Sequence, residues 1–220
     1  MTTPRPHTSV NPLRRVHADA KVAVKSYTDS FPDLAPPISA TEVRSLPSDA
    51  VVLVDVRTPE ERAVSMLPAA ITQEEFERRQ EEYRARPEIT VVPYCTMGRR
   101  SGIYARKLVK KGGFEKEKVR NGEGILLWTH EGGREGRKEG GRDAMETALL
   151  VGPDGRSTRR VHAYGQAWAA YAAEGFEVVL FPSSRKNPLR WLQGAWEHLA
   201  DKRRRQRETL MKEEDKGEDG

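Results

Sequence analysis

The chain is 220 residues long, with 36% hydrophobic and 32% charged residues, a formal net charge of +5 and one cysteine. So low an apolar share leaves material for a packed core of about 100–130 residues, with the polar excess gathered in tails and linkers. A single thiol excludes an internal disulfide and a cysteine-cluster metal site, and no run approaches the ~18 apolar residues of a membrane-spanning helix.

Residues 1–37 are rich in Pro, Ser, Thr and basic residues without a sustained period, and read as a disordered arm with one short helix near 18–27. The first 27 residues lack the apolar middle of a secretory signal, so a cytoplasmic protein is expected. Their Thr, Ser and Arg content with few acids also fits an organelle transit peptide. Ser39 or Thr41 can cap a short helix that Pro47 ends. Residues 51–56 are then a continuous apolar run broken only by Asp55, the pattern of a strand buried on both faces of a parallel sheet. Burying Asp55 alone would be costly, and Arg57 lies two residues on, along the same side of an extended chain.

Thr58, Pro59 and the acids Glu60 and Glu61 predict the cap, first position and first turn of a helix. Residues 67–71 read as a short strand, and Thr72 with Glu75 as a capping box opening a charged helix to about Arg84. A strand over 89–94, a loop at Cys95 and a helix over 101–111 follow, the last stopped by Gly112 and Gly113. A short strand at 118–120 and an apolar element at 124–128 complete an alternation that predicts an α/β fold with a parallel sheet over 38–132. Residues 133–145 are a Gly-rich charged linker. Residues 146–182 form a small α+β extension: a hairpin of 147–151 and 157–162, a helix over 164–174 and a strand over 176–181. This extension is too small to fold alone and is expected to dock on the main domain. Residues 183–220 are a basic helix, over 187–212, and a charged tail.

The chemistry centres on Cys95-Thr96-Met97-Gly98-Arg99-Arg100-Ser101. A lone thiol between a buried strand and a helix N-terminus is a candidate nucleophile, because that position lowers its pKa; a buried structural cysteine is the competing reading. A loop in this setting turns several backbone N–H groups towards one point, where they stabilise a thiolate, a persulfide or an oxyanion. Gly98 permits the backbone such a cradle needs, and Arg99 and Arg100 supply planar donors suited to a sulfonate or phosphate.

The segments DVRTPEE (55–61), SMLPAAI (65–71), CTMGRRS (95–101) and GGF…VRNGEGILLW (112–128) together resemble the single-domain rhodanese family of sulfurtransferases. The resemblance covers about 38–132 and implies a rhodanese-like parallel sheet flanked by helices. It further implies that Cys95 accepts sulfane sulfur from thiosulfate or a similar donor and passes it on as a persulfide. The amides from Thr96 to Ser101 would steady that anion, and Arg99 or Arg100 would steer the donor. Asp55 and Arg57 match a pair that braces the sheet, and Trp128 a residue that packs beside the loop. No cofactor is implied, and the partners are a small sulfur donor and an external thiol or protein acceptor. The chain departs from the family at Met66 to Ala70 and at Glu123, positions that shape the pocket.

A phosphatase loop on this fold is one residue longer and carries its arginine six positions after the cysteine; here Arg100 stands five after Cys95 and position 101 is Ser. An arsenate reductase would need a second cysteine. A rhodanese-like binding or sulfur-sensing module without turnover is the stronger rival. The KRRRQR run at 202–207 is followed closely by acids and reads as a solvated helix end rather than a nucleic-acid site. His7, His17, His130, His162 and His198 are scattered without ligand spacing, so no metal is expected.

Overall fold

The computed structural model describes residues 12–131 and 148–181. The linker at 133–145, the helix at 187–212 and the charged tail lie outside the described residues, as do residues 1–11 of the arm.

The disordered arm is corrected over Pro12–Thr28, where α1 is a helix of 17 residues. Ala20, Val24 and Thr28 are four residues apart, share one face and are buried. A face so narrow and built from such short side chains gives a weak periodic signal, and its stability comes from tertiary packing. Next, α2 (Ala40–Ser45) opens with a capping box between Ser39 and Glu42.

The α/β expectation holds. A three-stranded parallel sheet has the order β2-β1-β3, built from β1 (Val51–Asp55), β2 (Ile71–Thr72) and β3 (Thr90–Tyr94). Because β1 is central, four of its five residues are buried, which is why its sequence reads as a nearly unbroken apolar run. The register sets Asp55 opposite Tyr94, so both strands end at the same level. Beyond β3 the sheet continues, among the described residues, as isolated parallel bridges, Val91 with Val119 and Ile38 with Gly122. The strand expected at 118–120 is reduced to that bridge because a 3-10 turn, Lys116–Lys118, occupies its start.

Thr58 caps α3 (Pro59–Arg62) and Thr72 caps α4 (Gln73–Arg78), each with a full capping box. The charged helix expected to reach Arg84 in one piece is broken at Arg79 and resumes as α5 (Gln80–Arg84). The break lets Phe76 and Tyr83 both be buried, with their rings stacked at 5.1 Å. After β3 come α6 (Arg99–Lys111) and the single turn α7 (Ile125–Trp128). Side chains alternate across the sheet: Val52, Val54 and Val91 pack with Phe76, Tyr104 and Leu108, while Leu53, Val92 and Tyr94 pack with Val24, Leu126 and Trp128.

The second of these clusters also takes in Leu150, Val161 and Ala163 from the extension. The expected hairpin there is reduced to one antiparallel bridge, Val151 with Ser157, and Val151 bridges Met66 as well. The main pairing is instead a parallel one between β4 (Arg160–Ala163) and β5 (Glu177–Leu180). The helix between them is one turn, α8 (Gln166–Ala169). It stops there because the chain turns to bond to the end of α7: the Ala173 amide donates to Thr129 Oγ1 at 2.8 Å, and Tyr171 O meets His130 Nε2 at 2.8 Å.

Candidate active site

Cys95 leaves the carboxyl end of β3 and is 2% exposed. The loop that follows is shaped by its glycine: Gly98 caps α6 in the left-handed region, φ 87°, and so turns its own amide back onto Cys95 Sγ at 3.2 Å. Ser101 Oγ lies 3.5 Å from the same sulfur, and the amides of Met97 and Ser101 also bond to it. Three amides and a hydroxyl therefore converge at the N-terminus of a 13-residue helix, whose dipole adds to them. Burial by itself raises the thiol's pKa; the Arg100 charge and these hydrogen bonds outweigh it and hold the thiol below its ordinary range.

The loop is anchored from outside. The first amides of α7 donate to the carbonyls of Cys95 at 2.8 Å and Thr96 at 3.4 Å, and Asn121 Nδ2 donates to Gly98 O at 2.8 Å. Gly124, φ 99°, makes this approach feasible: a Cβ there would lie 2.6 Å from Thr96 O. Met97 and Trp128 are buried together in the core beside the loop.

Arg100 does not present an open fork, as the sequence suggested it would. Its guanidinium is held bidentately by Glu61, at 2.7 and 2.9 Å, and one terminal nitrogen also reaches Thr96 Oγ1 at 3.3 Å. Glu61 is buried and in addition accepts from the Thr58 amide at 3.0 Å and Thr96 Oγ1 at 3.3 Å. Burial alone would raise its carboxyl; His162, Arg100 and Thr58 reverse that and hold it well below the usual carboxylate range. Arg99 starts α6, and its charge draws the Tyr27 hydroxyl's pKa down against the larger upward push of burial.

Asp55 and Arg57 form a second, wholly buried unit, with Arg57 Nε and a terminal nitrogen on the carboxylate at 2.9 and 2.7 Å. Arg57 also donates to Ser65 O at 2.6 Å, while Tyr94 Oη donates to Asp55 at 2.6 Å and accepts from the Leu67 amide at 3.1 Å. This network ties the ends of β1 and β3 to the 65–67 segment and leaves the loop to Cys95.

Sequence reasoning missed three residues. Glu61 was taken only as a first-turn acid, although Thr58-x-x-Glu61 is a capping-box signature. His162 and Tyr164 stood outside the recognised motifs, yet His162 Nδ1 is 3.1 Å and Tyr164 Oη 3.3 Å from Glu61. Their two-residue spacing, which sets side chains on one side of an extended chain, was the available signal. Among the described residues no group of three His, Cys, Asp or Glu side chains could hold a metal ion, and no helix is long and apolar enough to cross a membrane.

The family model described as the rhodanese-like domain matches residues 39–130. Over this stretch the chain carries a rhodanese-like domain. The match takes in the sheet, the Cys95 loop and α7 and stops before the extension that carries His162 and Tyr164. No curated protein matches the chain.

Proposed function

We propose that the chain is a sulfurtransferase that moves sulfane sulfur from thiosulfate or a similar donor through a persulfide on Cys95. The observation that carries this reading is the convergence of the Met97, Gly98 and Ser101 amides on Cys95 Sγ beside the Arg100 charge. Such a cradle favours the thiolate, which is the nucleophile, and then the persulfide anion that replaces it. The thiolate attacks the outer sulfur of thiosulfate; a new S–S bond forms, the old one breaks, and sulfite leaves with the electron pair. A nucleophilic acceptor then attacks the outer sulfur of the persulfide, forms a bond to it and displaces the Cys95 thiolate. No cofactor takes part. With one cysteine in 220 residues, the acceptor is a separate molecule, a small thiol or another protein. A reduced thiol with this role suits the cytoplasm.

Intact-protein mass spectrometry tests the proposal. Thiosulfate is expected to add one sulfur atom to the protein and cyanide to remove it as thiocyanate, with neither change in Cys95→Ser. A second reading, a binding or sulfur-sensing module without turnover, draws on the 2% exposure of Cys95. It predicts no adduct from thiosulfate or mercaptopyruvate.

A further inference from the structure

The rhodanese-like stretch ends before β4, yet His162 of β4 and Tyr164 just past its end reach the Glu61–Arg100 pair beside the Cys95 loop. Val161 and Ala163 face the core and are fully buried; His162 and Tyr164, on the alternate positions, face Glu61. They divide its carboxylate between them. His162 Nδ1 bonds to Oε1 at 3.1 Å, and Tyr164 Oη donates to Oε2 at 3.3 Å. Each oxygen also takes one nitrogen of Arg100. The Tyr164 ring lies over the Arg100 guanidinium at 4.8 Å, and the His162 and Tyr164 rings meet edge to face at 5.4 Å. Glu61 is thus fixed from α3 by Thr58, from the loop by Thr96 and Arg100, and from the extension by two further residues.

We propose that His162 and Tyr164 are positioning residues for the Cys95 site: acting through Glu61, they hold the Arg100 guanidinium beside the thiolate. The chemistry of the family-matched stretch is then completed by a segment outside it. Two features support a role beyond packing. His162 is 2% exposed and sits against a carboxylate rather than in the apolar core, where a small aliphatic side chain would serve. Tyr164 is 58% exposed, so its placement over Arg100 buries little and is worth little as packing, but it aligns a cation. The inference rests on Cys95 being the reacting group.

The readout is the pH dependence of Cys95 alkylation by iodoacetamide, which needs no sulfur donor. The ionisable groups that act on the thiol are Arg100 and Tyr164, with the Ser101 hydroxyl bonded to it, and Glu61 and His162 stand behind Arg100. His162→Leu is expected to raise the midpoint by half a pH unit or more, which slows alkylation at neutral pH by about threefold. His162→Asn, which keeps a donor near the Nδ1 position, is expected to restore most of the wild-type profile. Tyr164→Phe should shift the midpoint in the same direction by less, and Tyr164→Ala by more; neither touches a buried position. Midpoints of His162→Leu and Tyr164→Ala that coincide with wild type would overturn the proposal and leave both residues as packing. If His162→Leu fails to fold, the two Tyr164 variants decide alone. A wild type that takes no sulfur from thiosulfate, with the variant shifts intact, would sink the sulfurtransfer reading while supporting this one.

Discussion

Glu61 and Arg100, 39 residues apart in sequence, share two parallel hydrogen bonds of 2.7 and 2.9 Å with the acid fully buried. The pair joins the first turn of α3 to the first turn of α6. It gives the Cys95 loop a fixed cation whose charge is balanced by the buried acid.

Removing one partner strands the other. Glu61→Gln is expected to cost about 2–4 kcal/mol at neutral pH, somewhat less than a fully buried pair because the Arg100 side chain is 30% exposed. The pH dependence has a definite sign. The folded carboxyl titrates below its unfolded value of about 4.3, so its contribution is complete above that value and fades as pH falls below it. Urea titrations at pH 7 and pH 3 should therefore show a wild-type advantage over Glu61→Gln that shrinks in acid.

Cys95 should react as an activated thiol. Its alkylation midpoint is expected below the ordinary value of about 8.5, because the Arg100 charge and the loop hydrogen bonds overcome burial. Arg100→Gln removes the charge and keeps the burial, so the midpoint should rise. Alkylation at pH 7 should then slow by about tenfold for each unit of that rise. A pH–rate series on the two proteins measures both.

The sheet brace should be costlier to break than anything at the surface. Arg57 and Asp55 have no exposed side-chain area, so Asp55→Asn leaves a guanidinium buried with half its partner and is expected to lose about 3–5 kcal/mol. Tyr94→Phe removes only the hydroxyl that joins Asp55 to Leu67 and should cost about 1–3 kcal/mol. Chemical denaturation ranks the two.

Gly124→Ala probes the loop's anchor. The new methyl would collide with the Thr96 carbonyl at 2.6 Å and the Met97 amide at 2.8 Å, at a φ of +99° that non-glycine residues avoid. Stability and sulfur loading of Cys95 should fall together, the first read by thermal melting and the second by intact mass.

Much of the sheet and loop was legible in the sequence because local rules and the fold agree there. Ser39, Thr58 and Thr72 cap helices within three residues of their acidic partners, and Asp55 and Arg57 pair across two residues. What escaped is what depends on distant partners. Residues 12–28 have too little apolar periodicity to announce a docked helix, and only the surface that receives Ala20 and Val24 makes them a core. Arg79 interrupts a run of good helix formers for the sake of Phe76 and Tyr83. The partner of Arg100 escaped for the same reason, since nothing near it in sequence marks Glu61 as that partner.

The two flanks that local rules overlooked close on the loop together. Val24 and Thr28 of α1 stand 3.8 and 3.4 Å from where a Gly98 side chain would begin, while His162 and Tyr164 lie across Glu61 on the other flank. A gene fragment trimmed to residues 39–130 would therefore lose packing on two flanks of the Cys95 loop. It would bare the apolar surface that receives Ala20, Val24, Leu150 and Val161, and it would strip from Glu61 the two partners that the extension supplies.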